Sequence, residues 1–440
     1  MHSGFCTFAL FAVLPHLALA SPAKFTLDEV IAKAIANPRV QMAHGDLEAA
    51  AGRLAEADAA RLPRVKATGF ATISPRILCS DPQCTQTTPQ NFALDFSGLF
   101  AGAQLDVTQP LYTFGKIAHA RAAARAGHDA QSALVDEAAG DVAVDAARAY
   151  WGIKLAREIG GMLDDGIEEI AGAAARITER RETSIQDRQR IAVLLAEAKL
   201  QRAEATEKET QALAGLRAVT GVPDADIDDT ELAAVAEPAK STGDPAARRP
   251  QSIAARSGAH AADELAAAES AHYFPDIAIV GSAVVARATG VTDPPGVFAN
   301  DPYNRYGAGV VLGLQWIIEP WNVNARLERA RAEARKMHAQ ANLAELGSRY
   351  DAETAQAQTV AARTKVDAAS DGTKAARTWL AAVLQSEAIG TAEARELADA
   401  YIAWFQMRAR WAAAVFDWNV AVVRLGRATG EFRAGRQRPR

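Results

Sequence analysis

The sequence predicts a mainly α-helical, internally duplicated chain with a small β part, in which long antiparallel coiled-coil helices accompany two strands in each half. Three observations carry this reading. Two stretches, Lys116 to about Gly221 and Trp321 to Gly430, contain no proline and place Ala, Arg, Glu, Leu and Ile in helical spacing. Shorter segments before each of them alternate at the period of a strand. Landmarks recur at a nearly constant offset: Pro38 to Pro250 is 212 residues, Pro63 to Pro275 is 212, Pro110 to Pro320 is 210 and Gly221 to Gly430 is 209. So small a drift marks an internal repeat.

The elements follow in order. Met1–Ala20 contains no Lys, Arg, Asp or Glu, and its apolar run ends in Ala18-Leu19-Ala20, a small-x-small cleavage pattern. A secretory signal is expected over 1–20, with Ser21 opening the mature chain. Cys6 lacks the context of a lipoprotein signal, so no lipid anchor is expected. A helix is predicted over Phe25–Leu62, stopping at Pro63, followed by a strand from Val65 to about Ser74 and another over Phe96–Val107. A first repeat then closes at 221, a linker spans 222–249, a second repeat spans 250–430, and a basic, disordered tail occupies 431–440. In the second repeat a helix opens at Arg249-Pro250 and stops at Pro275, and strands are expected at Ile277–Ala286 and Tyr306–Ile318.

Composition removes several function classes. The 440 residues are 49% hydrophobic with a net charge of −5. The core is ample, while the positive field that draws nucleic acid is missing. Three cysteines and eight histidines form no C-x-x-C and no H-x-x-x-H pair, so neither a metal nor another cofactor is expected. No Gly-rich phosphate loop, nucleophile elbow or His-centred cluster suggests an enzyme, and no catalytic residue is assigned. Cys79 and Cys84 bracket a polar Ser-Asp-Pro-Gln stretch, which suits a small disulfide loop in an oxidising compartment; two surface thiols are the other reading.

Beyond the signal no uncharged apolar run approaches the roughly 18 to 20 residues of a spanning helix. The strands point to a membrane by another route. Along Tyr306–Trp316 the even positions are Tyr306, Ala308, Val310, Leu312, Leu314 and Trp316, and the odd ones are Gly307, Gly309, Val311, Gly313 and Gln315. An apolar face with an aromatic at each end fits a lipid-facing barrel strand, although a soluble sheet is also compatible. Four strands cannot close a barrel alone, because single-chain barrels begin at eight. Several chains would have to share one.

The helices are equally unsuited to a small globule. Lys116 to about Glu182 would run roughly 100 Å at ~1.5 Å per residue. Leu155, Ile159, Leu163, Ile167, Ile170, Ala174 and Ile177 keep three-and-four spacing within it. Leu397, Tyr401, Trp404, Arg408, Trp411, Val415, Trp418, Val422 and Leu425 alternate steps of four and three, a coiled-coil seam interrupted only by Arg408.

Leu27 with the run to Asn37-Pro38, the strand-to-helix segment Gln109-Pro110-Leu111-Tyr112-Thr113-Phe114-Gly115-Lys116, the Thr-Gly closing each half and the duplication itself resemble the outer-membrane efflux protein family of TolC-like channels. The resemblance spans the mature chain. It implies a homotrimer in the outer membrane, extending into the periplasm, whose strands form one shared twelve-stranded barrel above a periplasmic α-barrel. It also implies a periplasmic adaptor and an inner-membrane transporter as partners, in efflux or type I secretion. Pro110, Gly115 and Pro320 would then make the strand-to-helix turns. The second half departs from the family's Pro-aromatic-Asp-Gly-Gly turn with Glu319-Pro320-Trp321-Asn322-Val323-Asn324, where Asn is expected to supply the left-handed backbone.

The same resemblance places the gate at the two helix reversals, near Glu182–Ile185 and Ala388–Thr391. Glu396 and Asp399 would form stacked carboxylate rings, with Asp187 as the first-half tip carboxylate and Arg395 the nearby arginine for a closing link. A solvated helix face is the alternative for Glu396 and Asp399. Two other classes remain compatible with parts of the pattern. A secreted or periplasmic coiled-coil scaffold shares the helices but has no use for the strands. A helical pore-forming toxin explains secretion and strands but not duplication.

Overall fold

The computed structural model describes residues 23–77, 92–179, 184–239, 243–291, 303–389, 391 and 393–431. The expected signal, Cys79 and Cys84, and the tail beyond Glu431 lie outside the described residues. In chain order the elements are β1 (Ala23–Phe25), α1 (Leu27–Ala34), α2 (Pro38–Ala59), β2 (Arg64–Ile77), β3 (Phe92–Tyr112), α3 (Lys116–Glu179), α4 (Ile185–Thr220), β4 (Ala225–Ile227), α5 (Pro245–Arg248), α6 (Pro250–Ala271), β5 (Asp276–Ala288), β6 (Arg305–Gln315), α7 (Pro320–Ala388) and α8 (Ala394–Ala428). The chain divides into a helical unit of Met1–Gln41, Ala138–Pro245 and Tyr350–Arg440 and a sheet-bearing unit of Met42–Glu137 and Ala246–Arg349. Each unit draws on both halves of the duplication. Among the described residues no helix is long and apolar enough to cross a membrane.

In the sheet-bearing unit the four long strands are antiparallel in the order β2-β3-β5-β6, so strands from the two halves meet at β3 and β5. Register sorts the side chains. Val65, Ala67, Gly69, Ala71 and Ile73 stand opposite Val107, Leu105, Ala103, Ala101 and Leu99. The row continues through Gly281, Ala283 and Val285 to Val310, Ala308 and Tyr306, with Ile279 and Ile277 opposite Leu312 and Leu314. One face is therefore apolar across all four strands, and Leu312 is 71% exposed on it. The other face carries Lys66, Thr68, Gln104, Asp106, Thr108 and Ser282. Alternation seen in single strands becomes a continuous surface only through the pairing.

β3 runs five residues beyond the Val107 end predicted for it, to Tyr112, and contains Pro110. A register shift between Pro110 and Tyr112 accommodates the missing N–H, as a bulge can. β6 ends at Gln315, short of the expected Ile318. The predicted helix over Phe25–Leu62 is corrected to a strand and two helices, because Asn37-Pro38 breaks it. Asn37 Oδ1 accepts from Arg39 N–H at 3.0 Å, while its amide donates to Val219 O at 3.0 Å on the last turn of α4. Asn37 thus starts α2 and holds it to the helix that ends the first half.

The helical unit buries Val142, Ala143, Ala146, Ile153, Leu216, Val415 and Trp418 in one cluster. Met162, Leu163, Ile170, Ile191, Leu380, Val383, Leu397, Tyr401 and Phe405 form a second. Positions of the predicted α8 seam fall in both. Each half closes as its sequence suggests. Gly221 and Gly430 have φ of +70° and +71°, and Thr220 and Thr429 return their hydroxyls to Leu216 O and Leu425 O.

The linker carries structure of its own. β4 pairs in parallel with β1. Asp226 and Asp228 are engaged by Arg157 and Lys154 of α3. Its attachment is apolar as well as polar: Ala225, Ile227 and Leu232 are buried in the same cluster as Val142 and Trp418.

Candidate functional site

The expected gate residues lie within the first two turns of two helices in the helical unit. Ser184 caps α4, accepting from Asp187 N–H at 3.1 Å, and its hydroxyl lies 2.7 Å from the Asp187 carboxylate. Asp187 also sits 3.9 Å from Arg190. On α8, Glu396 and Asp399 are exposed on either side of Leu397, which is 2% exposed and packs in the same cluster as Ile191 of α4. The apolar sides of the two helix starts are therefore held together while their carboxylates face out.

A spacing of three residues puts Glu396 and Asp399 on one face of α8. Arg395 lies 3.8 Å from Asp399, a pair within α8. The reason is local: on a helix, residues four apart are neighbours. Among the described residues no hydrogen bond or ion pair joins Asp187 to Glu396 or Asp399. Acidic side chains at helix N-termini also gain from the helix dipole, so their placement is compatible with a structural role as well.

The strand-to-helix turns differ between the halves. In the first, Phe114 and Gly115 adopt φ of 52° and 96°, Lys116 N–H reaches Thr113 O at 3.1 Å, and α3 begins. Phe114 stacks on Phe274 at 5.3 Å. Lys116 Nζ donates to Phe274 O and Asp276, both at 2.9 Å. A side chain at Gly115 would be strained by its backbone and would meet the His119 ring. In the second half Pro320 opens α7 and Val323 N–H bonds to Glu319 O at 3.0 Å. The left-handed Asn expected there is absent, because Pro320, with its φ already helical, starts the helix without a reversal.

Sequence reasoning missed the strap network. Lys154, whose side chain is 3% exposed, donates to Thr230 O and Thr230 Oγ1 at 2.6 Å and lies 3.2 Å from Asp228. Tyr150 donates to Asp228 at 2.6 Å. Burial works against the Asp228 carboxylate, but hydrogen bonds from Tyr150, Thr230 and Lys154 outweigh it and hold its pKa below the ordinary value. Burial, and then the Asp228 hydrogen bond, push the Tyr150 phenol up. Farther along, fully buried Asn419 donates to Ala233 O and accepts from Val235 N–H, and Trp418 Nε1 donates to Val235 O. The only sequence signal is the four-residue spacing of Tyr150 and Lys154, which names no partner.

Comparisons with known proteins agree with this architecture. A family model described as outer membrane efflux protein matches residues 31–222 and 244–431. Comparison with curated protein sequences gave no match. Among solved structures, the outer membrane protein VceC from Vibrio cholerae superposes with a TM-score of 0.75 at 15% identity, over 92% of this chain and 96% of that one. The open state of the Neisseria gonorrhoeae MtrE outer membrane channel gives 0.75 at 18% identity, over 92% and 88%. The Campylobacter jejuni CmeC outer membrane channel gives 0.74 at 14% identity, over 100% and 95%. Two family matches, one in each half and together spanning nearly the whole described chain, place this protein in the outer membrane efflux protein family.

Proposed function

We propose that three copies of this chain form one outer-membrane channel of a tripartite efflux system, with a periplasmic adaptor and an inner-membrane transporter as partners. The observation that carries the proposal is the sheet: β2 and β6 are its edges, and one face is apolar across every strand. Lipid tolerates no open strand edge, so these edges must be paired. Joining β6 of one copy to β2 of the next closes twelve strands from three copies, with the apolar face toward lipid and the Lys66, Gln104 and Asp106 face toward water. Exposed Ile185, Val193 and Leu200 on α4, Trp379 on α7 and Ile389 just after it supply apolar faces for neighbouring helices. Glu396, Asp399 and Asp187 would then ring the tunnel's narrow end.

Detergent-solubilised protein should scatter light as a particle of about three chain masses; a water-soluble monomer would overturn the proposal. Within the trimer, Leu312→Arg should impair assembly by about 2 to 4 kcal/mol, the scale of a midplane Arg on a barrel's lipid face. Gly313→Ser on the opposite face should assemble normally. Equal tolerance of the two changes would favour a soluble sheet.

A further inference from the structure

Arg408 is the one charged residue in the α8 seam, and its surroundings in the helical unit are not those of a packing defect. Its guanidinium lies 5.5 Å from the centre of the Trp404 ring and donates to Glu158 at 3.1 Å. Trp404, Arg408 and Trp411 share one helix face through their spacing of four and three. Opposite them, α7 presents Lys374 and Arg377, with Leu380, Ala381 and Leu384 below. α7 and α8 approach closely at one point: a side chain at Gly372 would collide with Met407, and Thr373 donates to Met407 O at 3.1 Å. Beside this contact lies a cavity of about 610 Å³ lined by these residues.

The lining is chemically one-sided. Arg408 is held by Glu158, which leaves Lys374 and Arg377 beside a single lining carboxylate, Glu169. Lys374 has only an exposed partner three residues away, Asp371 at 3.3 Å, and among the described residues Arg377 has no ion-pair or hydrogen-bond partner. Two indoles supply flat, polarisable walls. A cavity of this size matches one small ligand. Indole walls favour a planar body, and converging Arg and Lys favour a carboxylate or sulfonate on its rim.

We propose that this cavity binds planar aromatic anions. If the chain is the proposed channel, such molecules are its cargo or its blockers, but the binding itself does not depend on that reading. Titration calorimetry of the full-length, detergent-solubilised protein with 2-naphthalenesulfonate should show saturable binding of one molecule per chain. Neutral 2-naphthol should bind at least tenfold more weakly. Arg377→Gln and Lys374→Gln, both at exposed positions, should each weaken the sulfonate several-fold, and together by more than tenfold, while leaving naphthol binding unchanged. Light scattering on the same samples reports assembly separately, so a failed trimer and a failed site are distinguishable. No saturable binding, equal affinity for naphthol, or sulfonate affinity unaltered in the double variant would overturn the proposal. If an acidic helical peptide alone competes for the cavity, it is a protein-docking surface and the proposal also fails.

Discussion

Two regions of the helical unit hold carboxylates at helices in opposite ways. At the strap, Asp228 accepts from Tyr150, Thr230 and Lys154, and nearby Asn419 and Trp418 fix the same segment through its backbone. At the helix starts, Asp187 and Asp399 have exposed arginines at 3.9 and 3.8 Å, each on its own helix. Buried, many-partnered polar groups determine one arrangement, because leaving any member unpaired is costly. Exposed local pairs contribute at most about 1 kcal/mol and can exchange partners. The strap has the chemistry of a fixed fastening and the helix starts that of a surface able to rearrange, as a gate must.

The sharpest break of this contrast is Lys154→Met. It leaves Asp228 and the Thr230 carbonyl without their buried cation, at a cost of about 3 kcal/mol. Thermal unfolding should shift down markedly, and limited proteolysis should cut within the strap first. Asn419→Ala comes next, since it strands the Ala233 carbonyl and the Val235 N–H for about 2 kcal/mol. By contrast, Asp187→Asn should change stability by less than about 0.5 kcal/mol, because its partners are exposed. If Asp187→Asn were as damaging as Lys154→Met, the division into fastening and surface would fail.

Acid should separate the regions as well. Asp228 titrates below its ordinary value of 3.8 in the folded chain, so the unfolded chain binds the proton more readily. The stability it contributes is complete above the ordinary carboxylate range and is lost as the pH falls through the lowered value. Strap proteolysis should therefore rise only below about pH 4, and Asp228→Asn should abolish that step.

Much of the fold was legible because it rests on period and punctuation. Proline-free runs marked the long helices, Pro63 and Pro275 the stops of the shorter helices α2 and α6, and Thr220-Gly221 and Thr429-Gly430 the end of each half. What the sequence hid depends on partners far along the chain. The linker's Asp228 meets Tyr150 across 78 residues, and Asn419 meets Val235 across 184. No local period encodes such pairings. The second strand-to-helix turn was misread for a different reason: Asn suggested left-handed backbone, whereas Pro320 before it starts the helix directly. Of the candidate gate, sequence located Glu396 and Asp399 on one exposed face but not the turning of Arg395 toward Asp399.

The smallest expected effect on stability, and the most specific on function, is the charge-neutral double change Glu396→Gln with Asp399→Asn. Glu396 lies in the first turn of α8 and Asp399 in the second, where the helix dipole favours negative charge by at most about 0.3 to 1 kcal/mol, so unfolding should shift only slightly. If three copies surround one axis, each position contributes three carboxylates, and the two rings lie about 4.5 Å apart along the helix at ~1.5 Å per residue. Rings of that charge concentrate cations and bind multivalent ones across the lumen. Single-channel recordings of the double variant should show reduced cation selectivity and weaker block by multivalent cations, with the oligomer unchanged. The dipole account makes the opposite forecast: a small loss of helix stability and conduction identical to that of the unmodified channel. Unaltered selectivity and block in an intact oligomer would assign these carboxylates to helix capping and place the constriction elsewhere.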